Sequence, residues 1–218
     1  MSGAECIFPS IYSSNHGYLM EECKKVENAG FHTLHVDIQD GVCSSEISFG
    51  MKLVKLLREN SRMEFDIHIM LFELESYLER LNGLQNVRAV TFHPQSLRFP
   101  ARAAGKIHGM GYRVGLAFAL HDPVEQYGFM EKMVSSVLVC TASVDGLGNL
   151  YNPWSESYIR RVRAVFPTQD IVVDGNINAG NINAVRKAGA THFVMGREIF
   201  ETPDLYGKIR ELEDILQI

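Results

Sequence analysis

Eight short apolar runs recur along the chain, separated by longer stretches in which apolar residues return every three or four positions. The runs are Cys6 to Ser10, Thr33 to Asp37, Met63 to Met70 and Val87 to His93, then Arg113 to Phe118, Ser136 to Thr141, Asp170 to Asp174 and His192 to Met195. Each has the length of a strand. The intervening helical patterns include Tyr18 to Asn28, Phe49 to Asn60, Ala101 to Gly109, Trp154 to Phe166 and Asn181 to Lys187. Strands alternating with helices favour parallel pairing with crossover connections.

The punctuation agrees with that pattern. Gly30, Gly111 and Gly189 each stand just before a predicted strand, where glycine ends a helix by taking a left-handed conformation. Asn181 stands where an N-cap side chain is useful, and Pro153 lies just ahead of another helix start. Eight such units in 218 residues predict a compact α/β fold, a (β/α)8 TIM barrel formed as a single domain by residues 1–218. An open doubly wound sheet is the alternative. The barrel is preferred because polar signatures far apart in sequence all fall at the C-terminal ends of predicted strands, and closure gathers them over one mouth.

Those signatures are His35-Val36-Asp37, Asp66-Ile67-His68 and Val173-Asp174-Gly175. In an extended strand, residues two apart share a face, so His35 projects with Asp37, and Asp66 with His68. Two imidazoles and two carboxylates converging from three strands suit a divalent cation such as Zn²⁺, Fe²⁺, Mn²⁺ or Co²⁺. Taken singly, a histidine at a strand end is more often structural, and an aspartate there often caps the next helix; the joint spacing reverses that preference. Two roles stay open for Asp66: orienting a ligand by a hydrogen bond, or satisfying nearby backbone groups. His93 is placed near the mouth without an assigned role, and His16, His32, His108, His121 and His192 are expected at surface or structural positions. Met70 suits a soft wall under the metal or plain core packing.

Composition narrows the partners. Hydrophobic residues make up 46% of the chain, enough for a sizeable core, and a net charge of −5 argues against nucleic acid or an anionic membrane as partner. Cys6, Cys23, Cys43 and Cys140 form no Cys-x-x-Cys pair, so reduced thiols are expected rather than a disulfide framework. The first residues have neither the basic region nor the apolar core of an export signal, and no apolar run approaches the roughly 18 residues of a membrane span. A cytoplasmic location is expected.

From about Phe8 to Phe200 the sequence resembles the ribulose-phosphate 3-epimerase family. The resemblance rests on Pro9-Ser10, His35-Val36-Asp37 followed by Asp40-Gly41, Phe49-Gly50-Met51, Asp66-Ile67-His68-Ile69-Met70 and Thr91-Phe92-His93-Pro94. It continues through Val173-Asp174-Gly175-Asn176-Ile177, Ala188-Gly189-Ala190 and Gly196-Arg197-Glu198-Ile199-Phe200. It implies a (β/α)8 barrel that epimerises a phosphorylated ketose at C3 with a bound divalent metal. It further implies that His35, Asp37, His68 and Asp174 are the metal ligands, and that Asp37 and Asp174 double as the two acid/base groups. Ser10 and His68 would contact substrate. A homo-oligomer is expected by the same resemblance.

The pattern departs from the family at the phosphate end. The usual Asn-Pro-Gly-Phe-Gly-Gly loop reads Val144-Asp145-Gly146-Leu147-Gly148-Asn149. Asn176 replaces the second glycine after the catalytic aspartate, and Arg197 replaces a serine after the last strand's glycine. Backbone N–H groups hold phosphate in such loops, so Gly146, Leu147, Gly148 and Asn149 remain candidates, with Gly175, Asn176, Gly196 and Arg197. Arg197 either adds a bidentate contact to phosphate or pairs with Asp145. Gln39 and Thr141 stand at positions usually held by methionine, and Ala119-Leu120 replaces a common Asn-Pro pair; all are expected to line the sugar pocket. The departures resemble a branch of the family associated with sugar-uptake systems, which leaves the particular pentulose or hexulose phosphate open. Two other readings compete. An aldolase or decarboxylase on a related barrel would want a lysine beside the strand-end aspartates, and a noncatalytic sugar-phosphate-binding barrel would keep the fold without the chemistry.

Overall fold

The computed structural model describes residues 3–142 and 150–217. Eight parallel strands form one sheet: β1 (Ile7–Pro9), β2 (Thr33–Gln39), β3 (Glu64–Met70), β4 (Val87–Phe92), β5 (Val114–Ala119), β6 (Ser136–Cys140), β7 (Asp170–Asp174) and β8 (His192–Met195). Neighbours follow chain order from β2 to β8, and β8 pairs with β1. A parallel bridge between Ser10 and His35 joins β1 to β2 and closes the ring. The open-sheet alternative is thereby excluded.

Helices cover the outside. They are α1 (Gly3–Cys6), α2 (Leu19–Asn28), α3 (Met51–Glu59), α4 (Leu74–Leu78), α5 (Pro100–Gly109), α6 (Ser155–Val165), α7 (Ile182–Ala188), α8 (Arg197–Phe200) and α9 (Leu205–Leu216). A 3-10 run, Val124–Met133, makes the crossover between β5 and β6. The sequence reading named neither this run nor α9, although Leu205, Ile209, Leu212 and Leu216 bury one face of α9 at helical spacing. Gly189 stops α7 with φ of 120°, where a side chain is strained. Asn181 stands at the N-cap of α7, but its amide turns back instead: Oδ1 accepts from Asn178 N at 3.0 Å and Nδ2 donates to Asn176 O at 2.9 Å.

The two-residue period of the strands sorts the core into two layers. Leu34, Val36 and Ile38 on β2, like Phe65, Ile67 and Ile69 on β3, face outward into the larger apolar cluster under the helices. Phe8, Ala117, Leu138, Cys140, Val172 and Val194 fill the barrel interior. That outward layer forces His35, Asp37 and Gln39 inward, and likewise Asp66 and His68. At the base of the barrel, Arg88 Nη2 donates to Asp170 Oδ2 at 3.3 Å and to His192 Nε2 at 3.0 Å. Burial there pushes the His192 pKa down to about 4, so the ring accepts as a neutral group. His192 therefore plugs the end opposite the strand-end signatures. Among the described residues, no helix is long and apolar enough to cross a membrane.

Candidate active site

Register places the polar signatures in direct contact. His35 pairs with Asp66 and Asp37 with His68 across β2 and β3, and Cys140 pairs with Asp174 across β6 and β7. Asp66 Oδ2 lies 2.8 Å from His35 Nδ1, and Asp37 Oδ1 lies 3.2 Å from both His35 Nε2 and His68 Nδ1. Asp174 Oδ2 closes the group at 3.7 Å from His35 Nε2 and 4.0 Å from His68 Nδ1. Ser10 Oγ donates to Asp37 Oδ2 at 3.0 Å. Of the two roles open for Asp66, its carboxylate takes the one that orients His35.

Four donor atoms, one each from His35, Asp37, His68 and Asp174, lie within 4.8 Å of one another. Two nitrogens and two carboxylate oxygens at that spacing fit a borderline divalent cation, and the cluster is chemically consistent with that use. Burial and neighbouring groups set the charges within the cluster. Burial disfavours a charged His35 ring, but Asp37 and Asp66 overcome it and hold its pKa well above the ordinary value. Burial also opposes ionisation of Asp37, yet His35 and His68 keep its carboxylate far below the usual range. Asp174 goes the other way: burial and the neighbouring Asp37 charge push it up to about 6. One aspartate of the pair is a settled anion and the other takes up its proton only as the pH falls through about 6.

A cavity of about 610 Å³ opens over this cluster. Ser10, Asp37, Gln39, His68, Met70 and Asp174 line its floor, and Gly175, Asn176, Gly196 and Arg197 line one side. Gly175 has φ of 123°, and a Cβ there would fall 2.4 Å from Ala142 N, so the wall beside Asp174 requires glycine. Asn176 has a left-handed backbone, φ 54°, and its Oδ1 accepts from Arg197 Nη2 at 3.0 Å. Gly146, Leu147, Gly148 and Asn149, with Asp145, lie outside the described residues.

Several pocket positions differ from the sequence reading. Thr141 does not face the sugar cavity: it is fully buried, and its Oγ1 donates to the carbonyls of Asp174 and Gly175 at 3.0 and 2.7 Å. Its neighbour Cys140 lines the cavity instead, because one step along a strand reverses the face. Ala119 and Leu120 are likewise absent from the lining.

The sequence reading also left His93 without a role. Its Nε2 lies 3.0 Å from His68 Nε2, and its Nδ1 lies 3.1 Å from Gln95 Nε2. Gln95 Nε2 donates in turn to Asp122 Oδ2 at 2.5 Å, and Ala119 N donates to that same oxygen at 2.6 Å. Burial and the proximity of His68 push the His93 pKa down to about 3, while burial raises that of Asp122. Of its members beyond His68 only His93 stands in one of the sequence signatures, and Gln95 and Asp122 sit in the turns after β4 and β5.

A model of the ribulose-phosphate 3-epimerase family matches residues 6–200. The chain belongs to this family. As a ribulose-phosphate 3-epimerase family member it is an isomerase of the carbohydrate-epimerase class. It is 28% identical over 209 residues to a ribulose-phosphate 3-epimerase of Methanocaldococcus jannaschii, covering 94% of this chain and 88% of that protein. It is 30% identical to one of Buchnera aphidicola, covering 88% and 86%. Among solved structures, orotidine 5'-phosphate decarboxylase from Pyrococcus horikoshii superposes with a TM-score of 0.69 at 13% identity, covering 97% of this chain and 99% of that one. A tryptophan synthase alpha-subunit mutant from Pyrococcus furiosus gives 0.67 at 13% identity, covering 100% and 99%. At such identities these two structures share the fold alone with this epimerase family member.

Proposed function

We propose that the protein is a metal-dependent 3-epimerase of a phosphorylated ketose, ribulose 5-phosphate and xylulose 5-phosphate or a related pentulose or hexulose phosphate. The observation that carries the reading is the meeting of Asp37 and Asp174, from two different strands, at one cavity with His35 and His68 beside them. Two carboxyls bordering one cavity can supply one base and one acid.

Epimerisation removes a proton from the carbon beside a carbonyl and returns one to the opposite face. A carbon acid of that kind needs a base at hydrogen-bonding distance and an acid across from it. Asp37 and Asp174 take these parts and exchange them with reaction direction. His35, Asp37, His68 and Asp174 hold the divalent cation, which, when bound, supplies positive charge against the ketone oxygen as it gains electron density. Ser10 steadies Asp37 through its hydrogen bond and faces the substrate. The phosphate rests against the side lined by Gly175, Asn176, Gly196 and Arg197, residue types whose backbone N–H groups and guanidinium suit an anion.

An aldolase or decarboxylase that relies on lysine is disfavoured, because no lysine lines the cavity among the described residues. The test is conversion of a panel of pentulose and hexulose phosphates to their C3 epimers by the metal-replete protein, repeated after chelation. Epimer formation that stops on chelation and returns with added metal supports the reading. Tight binding of a ketose phosphate with no epimer formed across the panel favours the noncatalytic barrel.

A further inference from the structure

The two histidines proposed as ligands are wired to their surroundings with opposite polarity. Asp66 Oδ2 lies 2.8 Å from His35 Nδ1 and takes that nitrogen as its donor, so His35 Nε2, the nitrogen facing Asp37 and Asp174, is the one left to ligate. This arrangement aims His35 Nε2 at the cation position, and the proton that nitrogen holds in the metal-free cluster leaves without any change at Nδ1.

His68 is wired the other way. Asp122 Oδ2 receives two donors, Ala119 N at 2.6 Å and the Gln95 amide at 2.5 Å, as suits a carboxylate. Gln95 must therefore present its nitrogen, and that nitrogen's second hydrogen points to His93 Nδ1 at 3.1 Å. Nδ1 of the neutral His93 ring is then the acceptor, and its hydrogen sits on Nε2, directed at His68 Nε2 at 3.0 Å. His68 Nε2 accepts in turn, which leaves the His68 ring's hydrogen on Nδ1. Nδ1 is the atom that faces Asp37 and Asp174 at 3.2 and 4.0 Å.

A cation at that position needs a lone pair on Nδ1. Loading it moves the His68 hydrogen to Nε2, where it meets the hydrogen on His93 Nε2. Relief requires His93 to change tautomer and Gln95 to turn its amide oxygen toward Asp122, setting two acceptors against each other. We propose that Gln95 and Asp122 form a positioning pair that holds His68, through His93, in the tautomer opposed to metal loading, so that the chain binds its cation less tightly than its four donors alone would. The inference rests on the reading of His68 as a metal ligand.

The direct test is long-range ¹H–¹⁵N NMR of the histidine rings of the metal-free wild-type protein at pH 8, followed by titration with Zn²⁺ alone. The expected spectrum has His93 protonated at Nε2 and His68 at Nδ1, with both tautomers reversing as Zn²⁺ binds. A metal-free His68 protonated at Nε2 would overturn the inference. Zn²⁺ bound without any change in His68 would overturn the ligand reading as well, which separates the two failures. Gln95→Glu replaces the opposing donor with an acceptor for His93 Nδ1–H. It should shift metal-free His68 toward Nε2–H and tighten Zn²⁺ by about tenfold, the lower end of the effect expected of groups that orient ligands. Gln95→Met, which removes the bias without adding charge, should bind Zn²⁺ no more weakly than wild type. A weaker Met variant with an unchanged melting temperature would mean that Gln95 supports loading, and the proposal would fall.

Discussion

Asp66 and His35 face each other across adjacent strands in direct register, and a 2.8 Å hydrogen bond joins Asp66 Oδ2 to His35 Nδ1. Both side chains are buried, so the bond fixes the ring's rotation before any ligand arrives. Replacing Asp66 with alanine is expected to weaken metal affinity by about 10–100-fold while leaving all four donors in place. Competition with a chromophoric chelator measures this directly; unchanged affinity would show that His35 is oriented by packing alone.

Metal affinity should rise with pH. Asp174 carries a pKa near 6 in the metal-free cluster, and the His35 pKa is raised well above its ordinary value. Below these values both sites hold protons that the cation must displace, so affinity falls as pH drops through 6, and binding above it still releases the His35 proton. Calorimetry in two buffers of different ionisation enthalpy reads the release. Affinity that stays flat between pH 5 and 8, with no protons released, would contradict the assigned charge states.

Ser10 joins the closure of the barrel to its chemistry. Its backbone N donates to Met195 O at 3.0 Å, its backbone bridges to His35, and its hydroxyl donates to Asp37. Ser10→Ala leaves a buried carboxylate short of one donor, at a cost of about 1–3 kcal/mol. Denaturant unfolding of the metal-free protein should register that loss, and turnover should fall with it. Unfolding at the wild-type midpoint would show that water or a rearranged donor replaces the hydroxyl.

Asp37→Asn and Asp174→Asn should each reduce epimerisation by at least about a hundredfold, in both reaction directions, because either direction uses both carboxylates. Rates measured from each epimer under saturating metal decide the matter. A variant that keeps near-normal turnover in either direction would remove its aspartate from the proton-transfer pair.

Much of the site was legible because strands have a two-residue period and signatures such as His35-Val36-Asp37 carry their own geometry. The boundaries of β7 and β8 fell where the apolar runs placed them. The same period explains the error at Thr141: its neighbour Cys140 takes the inward face, a one-residue difference that short apolar runs do not resolve. His93, Gln95 and Asp122 were illegible for another reason. They meet through turns after different strands, and it is the pairing of β4 with β5 that brings Asp122 to Gln95. Asn181 occupies the helix start its residue type suggested, but a local alternative, the carbonyl of Asn176, took its side chain.

The central claim is proton transfer at C3 by the Asp37 and Asp174 pair. Proton NMR of the metal-replete protein in D₂O, with ribulose 5-phosphate and a small panel of related ketose phosphates, tests it most directly. Loss of the C3 proton signal together with appearance of the C3 epimer, both abolished by chelation and by Asp174→Asn, is the predicted result. Epimer formed without deuterium at C3, or no exchange in any ketose phosphate with metal demonstrably bound, would contradict it.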